Sequence, residues 1–283
     1  MPSHQTNTVE QIENTGRLLR EKRPFIKELI SFYEGLFTLQ EQQRSDVQIN
    51  SLLRMDNQTV KEKQENGFPL VSKQDFEFPM EEVHPFFEKI LSLCLKAESP
   101  LRETARALSD LVREEKTDLE SLVRHYIHGI PAAPVKELGE NHRDHIEFIL
   151  YNALKPWAIE YSAALASMYP ADDSSLENRV CPVCGEAPAF SVLSENGARS
   201  LTCGFCWHQW PVRRIFCPYC DTRESDALSY FYIEGEKQIR ADLCENCMRY
   251  IKSVDERETS ADFYIPLEVV SSVTLDIKAA ERK

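Results

Sequence analysis

The sequence predicts an α+β multidomain protein, with an all-α helical N-terminal domain followed by two tandem rubredoxin-like or zinc-ribbon β modules. Three observations predict it. Eight of the nine cysteines in this 283-residue chain fall in one run as four Cys-x-x-Cys pairs: Cys181/Cys184, Cys203/Cys206, Cys217/Cys220 and Cys244/Cys247. Between the first two pairs, and again between the last two, lies an apolar stretch broken by a turn, the pattern of a β-hairpin. Before residue 169, apolar side chains recur at spacings of three and four, as helices that bury one face require.

Residues 1–168 are expected to form the helical domain. After Pro24, which suits a first helical turn, Phe25, Ile26, Leu29, Ile30, Phe32, Tyr33, Leu36, Phe37 and Leu39 define one broad apolar face. Leu52 and Leu53 suggest a further helix reaching Val60, although the polar tract at 56–65 weakens that pattern. Gly67-Phe68-Pro69-Leu70 punctuates the chain. Residues 81–97 place Val83, Phe86, Phe87, Ile90, Leu91, Cys94 and Leu95 on a second face, where the lone Cys94 reads as a small buried hydrophobe. Ser99 is placed to cap the next helix, with Pro100 at its first position. Thr117 is expected to cap another, ending at Gly129 before a loop with Pro131 and Pro134. The last long pattern, residues 141–168, contains Pro156, which should kink or divide it. His125, His128, His142 and His145 have no cysteine or carboxylate partners at metal-ligand spacing. No phosphate loop, nucleophile elbow or His-Glu zinc motif occurs here.

Residues 169–178 read as a linker. The first metal module is assigned to 179–212, the second to 213–255, and the C-terminal tail, 256–283, is expected to pack on the core. In the first module the chain turns at Asn196-Gly197, where a type I′ turn would demand positive φ at both residues. In the second it turns near Gly235. Tetrahedral sites closed by thiolates need four sulfurs, so four pairs supply two sites. Hairpin closure favours Cys181, Cys184, Cys203 and Cys206 as one set and Cys217, Cys220, Cys244 and Cys247 as the other. A nested arrangement, outer pairs together and inner pairs together, stays open. Zinc and iron both suit such a site, and spacing does not choose between them. The dense cysteine run of bacterial ferredoxins is absent. A structural metal commonly contributes on the order of 10 kcal/mol, enough to hold a module too small to support itself by apolar burial.

Charge excludes one class of function. The chain carries a net charge of −13, and from residue 179 to 252 nine Lys/Arg balance nine Asp/Glu. Thiolates around two divalent ions leave that segment negative, whereas nucleic-acid binders draw affinity from a basic surface. No apolar run approaches the roughly 20 residues of a membrane span. The N-terminus has no secretory pattern, so a cytoplasmic location and reduced cysteines are expected. Between the modules, Trp207, Trp210, Arg213 and Arg214 suggest either packing or a contact patch, since Trp and Arg are enriched at binding hot spots.

The order of these motifs resembles a known family. Cys181-Pro182-Val183-Cys184-Gly185 precedes Cys203-x-x-Cys206. Trp210 and Arg214 then lead into Cys217-x-x-Cys220, and Cys244-x-x-Cys247 is followed by Tyr250, Ile251 and Lys252. Thr274-Leu275-Asp276 closes the chain. This order is similar to that of the formate dehydrogenase accessory (formation) proteins, FdhE, whose helical N-terminal region is of similar size. The resemblance implies a cytoplasmic maturation factor, a chaperone rather than an enzyme, that binds the catalytic subunit of formate dehydrogenase. It implies rubredoxin-like sites holding two metal ions, iron favoured and zinc the alternative. A rubredoxin-like electron-transfer protein is the alternative function. Neither residues nor resemblance fixes the oligomeric state.

Overall fold

A computed structural model describes residues 9–49, 52–98, 100–130, 138–170, 178–260 and 263–282. The chain divides into two compact units. One comprises Met1–Glu34, Ser51–Ser72 and Ser162–Lys283; the other comprises Gly35–Asn50 and Lys73–Tyr161. The division falls inside two helices, α2 (Lys27–Arg44) and α7 (Arg143–Met168). Residues 1–34 and 51–72 thus group with the cysteine-rich half. No helix among the described residues is long and apolar enough to cross a membrane.

The second unit is helical. Its elements are α4 (Met80–Cys94), α5 (Leu101–Arg113), α6 (Leu119–Ile127) and most of α2 and α7. On α4 the expected stripe Val83, Phe86, Phe87, Ile90, Leu91 and Cys94 is buried. Burial also pushes the Cys94 thiol up to about 12, so it acts as a hydrophobe. Phe86 meets Trp157 edge to face with ring centroids 5.8 Å apart, and the indole N–H of Trp157 donates to Glu82 at 3.2 Å. The expected division at Pro156 does not occur, and α7 runs unbroken from Arg143 to Met168. A proline removes the N–H that would bond four residues back. That orphaned acceptor is the Asn152 carbonyl, and the Gln40 side-chain amide donates to it at 3.1 Å. Helix starts shift with their caps. Asp118 rather than Thr117 caps α6, accepting from the Ser121 amide at 2.7 Å. Ser99, the 131–137 loop and linker residues 171–177 lie outside the described residues.

The first unit holds α1 (Val9–Lys22), α3 (Asn57–Glu65), a six-stranded sheet, α8 (Ile265–Ser271) and α9 (Val273–Ala280). The helix expected from Leu52 instead begins at Asn57 and runs through the polar tract. Asp56 sets that start by accepting from both the amide and the hydroxyl of Thr59, at 2.9 and 2.7 Å. Phe25 is 70% exposed, because Pro24–Ile26 form a short 3-10 turn ahead of α2. Just before that turn, Arg23 is buried and makes paired 2.9 Å bonds to Glu236, a 2.6 Å bond to Ser271 Oγ and a further ion pair with Glu268.

The strands are β1 (Pro188–Leu193), β2 (Arg199–Cys203), β3 (Gln209–Val212), β4 (Leu228–Phe231), β5 (Ile239–Cys244) and β6 (Arg249–Asp255). Each cysteine repeat builds an antiparallel three-stranded meander, and the two join into one sheet of order β3-β2-β1-β6-β5-β4. The joint is the parallel pairing of β1 with β6, from Phe190 opposite Lys252 to Leu193 opposite Asp255. One face of the sheet buries Phe190, Val192, Ile239, Ala241 and Val254 with Val269 of α8 and Leu275 of α9. A polar network also crosses the joint. Ser191 and Ser253 hydroxyls lie 2.5 Å apart, Ser253 donates to Asp242 at 2.6 Å, and buried Arg199 donates to Ser191, Asp242 and the Phe216 carbonyl at 3.1–3.3 Å.

Candidate metal centres

A Cys-x-x-Cys turn can aim two sulfurs at one point only if the chain reverses tightly after them. The residue that follows each second cysteine makes that reversal here. Gly185, Trp207, Asp221 and Met248 all have positive φ, from 56° to 79°. Backbone bonds then fix the loops: Gly185 and Asp221 amides donate to the Cys181 and Cys217 carbonyls, each at 2.9 Å. The Cys181 and Cys217 amides donate in turn to Glu186 and Thr222 carbonyls at 2.9 Å. The first hairpin closes through Glu195-Asn196-Gly197, with Gly197 at φ 78° and Asn196 outside the positive-φ residues. It is therefore a three-residue loop rather than the expected type I′ turn. Asn196 contributes through its side chain, which accepts from the Ala198 amide at 3.0 Å.

These turns gather the cysteines into two groups of four, Cys181, Cys184, Cys203, Cys206 and Cys217, Cys220, Cys244, Cys247, with the sulfurs of each group within 4.8 Å of one another. They are the groups that hairpin closure favours, and the nested arrangement does not occur. In the first group the sulfurs of Cys181 and Cys206 are 3.7 Å apart, Cys184 and Cys203 3.4 Å, and Cys184 and Cys206 3.5 Å. In the second, Cys217–Cys247 and Cys220–Cys244 are each 3.6 Å. A tetrahedron with metal–sulfur bonds of about 2.3 Å has edges of about 3.8 Å. The separations fit that figure and are far beyond a disulfide bond. Both groups could therefore hold a tetrahedral ion, and four soft thiolates suit zinc or iron alike.

The two groups differ in their surroundings. All four cysteines of the first are buried, at 0–3% exposure, whereas Cys220 and Cys247 of the second are half-buried. Burial raises the Cys181 thiol well above its ordinary value, and burial pushes Cys217 up to about 12. The hydrogen bond with Thr222 instead holds Cys220 down, to about 6, with Asn246 and Cys244 adding to it. A bound cation reverses such penalties, because coordination removes the thiol proton outright.

The residues between the modules separate by burial. Trp210 is 1% exposed on β3 and its indole donates to the Asn178 carbonyl at 2.9 Å, so its ring belongs to the interior. His208 stacks parallel to it at 6.5 Å, and burial lowers its pKa. Trp207 is half-exposed, while Arg213 and Arg214 are exposed. Ile215, which the sequence pattern did not single out, is 62% exposed beside them.

Residues 180–214 match the model of the family described as FdhE, central domain. A protein FdhE homolog of Edwardsiella ictaluri is 33% identical over 129 residues, 43% of this chain and 41% of that protein. One of Yersinia enterocolitica is 31% identical over 163 residues, 52% of each chain. These matches span about half of the relatives' length or less. In fold the likeness is wider: the crystal structure of the FdhE protein from Pseudomonas aeruginosa aligns with a TM-score of 0.65 at 19% identity, covering 98% of this chain and 92% of that one. The first cysteine module thus carries the FdhE central-domain signature, and the chain shares the fold of an FdhE protein along nearly its whole length.

Proposed function

We propose that this chain is a cytoplasmic accessory factor that binds the catalytic subunit of formate dehydrogenase and supports its assembly into active enzyme, with no catalysis of its own. The observation that carries the reading is the pair of four-cysteine groups set in the FdhE fold. The eight cysteines serve as ligands of two metal ions, with iron favoured. Four thiolates on opposed knuckles brace a sheet, and they leave the protein's surface free for recognition. The half-exposed Trp207 and the exposed Arg213, Arg214 and Ile215 form the docking patch, with the buried Trp210 between them in sequence. Co-purification of the tagged chain with the formate dehydrogenase catalytic subunit tests the reading. Capture is expected to fall about ten-fold or more in an Arg213→Ala, Arg214→Ala double variant that keeps its fold. Undiminished capture removes the patch, and no capture by the intact chain removes the client.

One observation favours a second reading, a rubredoxin-like electron carrier. Cys220 and Cys247 come to the surface, where an electron could leave. An iron-loaded protein with a reversible one-electron couple would support it. A zinc-loaded protein that still restores formate dehydrogenase activity would rule it out.

A further inference from the structure

The two cysteine groups share a backbone plan, yet different material surrounds them. Over the first knuckle lies a short strap of chain. The Leu70 and Val71 amides donate to the Pro182 and Val183 carbonyls, each at 2.9 Å, and both side chains are buried. Pro69 sits so close that a Cβ on Gly185 would lie 3.1 Å from its Cγ. The sulfur of Cys203 is further held by backbone amides of Phe205 and Cys206 at 3.3 and 3.5 Å. All four cysteines of this group are 0–3% exposed.

The second knuckle has no such backbone strap among the described residues. In its place the Cys220 sulfur is held by two side chains, Thr222 Oγ1 at 3.1 Å and Asn246 Nδ2 at 3.6 Å. Those two are linked to each other at 2.8 Å, and Asn246 is exposed. A pocket of about 130 Å3 adjoins the same group, with Cys244, Met248 and Arg249 in its wall. Side chains that can swing away therefore join the backbone amides in holding this site.

We propose that the two metal centres divide their work: the first is a closed brace, and the second is an exchangeable centre where a small thiol or chelating ligand can enter at Cys220 and Cys247, with Thr222 and Asn246 as positioning residues. The inference rests on the reading that both groups bind metal. Exchange here is simple ligand substitution. The incoming donor would take the position on the metal that Cys220 vacates, Cys220 would leave as a thiolate, and nothing would be oxidised or reduced.

The test is zinc release from the full chain, loaded with zinc and challenged with excess EDTA, with retained zinc counted over time. Two zinc ions per chain are expected, leaving in two phases of equal amplitude. Asn246→Ala should speed the fast phase by about ten-fold, the usual effect of losing a group that holds a metal ligand, and leave the slow phase unmoved. Cys220→Ser should remove one zinc and the fast phase with it. Leu70→Pro, which deletes one strap amide, should quicken the slow phase instead. A protein that holds two zinc ions and releases them in one phase overturns the division alone, as does a fast phase that survives Cys220→Ser. A protein that holds no zinc overturns the metal reading as well.

Discussion

Four residues follow the second cysteine of a pair, and all four occupy left-handed backbone space, although only Gly185 lacks a Cβ. At Trp207, Asp221 and Met248 that conformation costs roughly 1–2 kcal/mol each, a cost the metal sites can offset. Gly185 is different because Pro69 leaves no room beside it. Gly185→Ala should therefore destabilise the cysteine-rich unit by about 2 kcal/mol, read as a lower melting temperature with the fold retained. Gln40 makes a comparable case inside the helical unit. Its amide fills the place of the N–H that Pro156 lacks, so Gln40→Ala should cost about 1–3 kcal/mol by leaving a buried carbonyl unpaired. Reverting Pro156 to Ala in that variant should recover part of the loss. Arg23 has the largest expected effect. Glu268 is fully buried beside it, and Arg23→Ala should cost about 3–5 kcal/mol by stranding that carboxylate, as denaturant titration would show.

Among the elements, α3 shows how a cap can outweigh composition. Its sequence is almost entirely polar, with Val60 the one buried residue, so apolar periodicity gives no clear start. The Asp56 carboxylate supplies the start, and its bonds to the Thr59 hydroxyl and amide hold its pKa below the ordinary carboxylate value. A depressed folded-state pKa means that the stabilisation is present above the unfolded value and is lost as pH falls through the folded one. Protection factors for amide exchange in residues 57–65 should therefore fall as pH drops through the carboxylate range, and Asp56→Asn should flatten the response. Strands β3 and β6 were harder to foresee than the hairpins. They follow the second knuckle of each repeat, and the pairing of β2 with β3 and of β6 with both β5 and β1 gives them a place. Pro211 in β3 removes an edge N–H, which discourages further strands from adding there.

At the scale of the molecule, the tandem repeat has become one sheet that carries the two cysteine groups. The Arg199–Asp242–Ser253–Ser191 network lies at the joint, and desolvation lowers the Arg199 pKa despite its Asp242 partner. Such a network holds register only when every member is satisfied. Removing metal from both sites should unfold the sheet while the helices of the second unit persist. Circular dichroism after chelation should show lost strand signal with much of the helical signal kept, and a single cooperative loss of both would contradict the two-unit description.

What the sequence by itself determined was the ligand arithmetic, the hairpins and the helical stripe on α4. Each depends on spacing along the chain: two sulfurs per tight turn, apolar residues every three or four positions. Tertiary structure alone decided that Trp210 is interior, that Pro156 leaves α7 whole and that the N-terminal residues join the cysteine-rich unit. It also decided which cysteine group is wholly buried. Those outcomes turn on partners far away in sequence, such as Gln40 for Asn152 and Leu70 for Pro182. No local pattern encodes a hydrogen bond whose two halves lie a hundred residues apart.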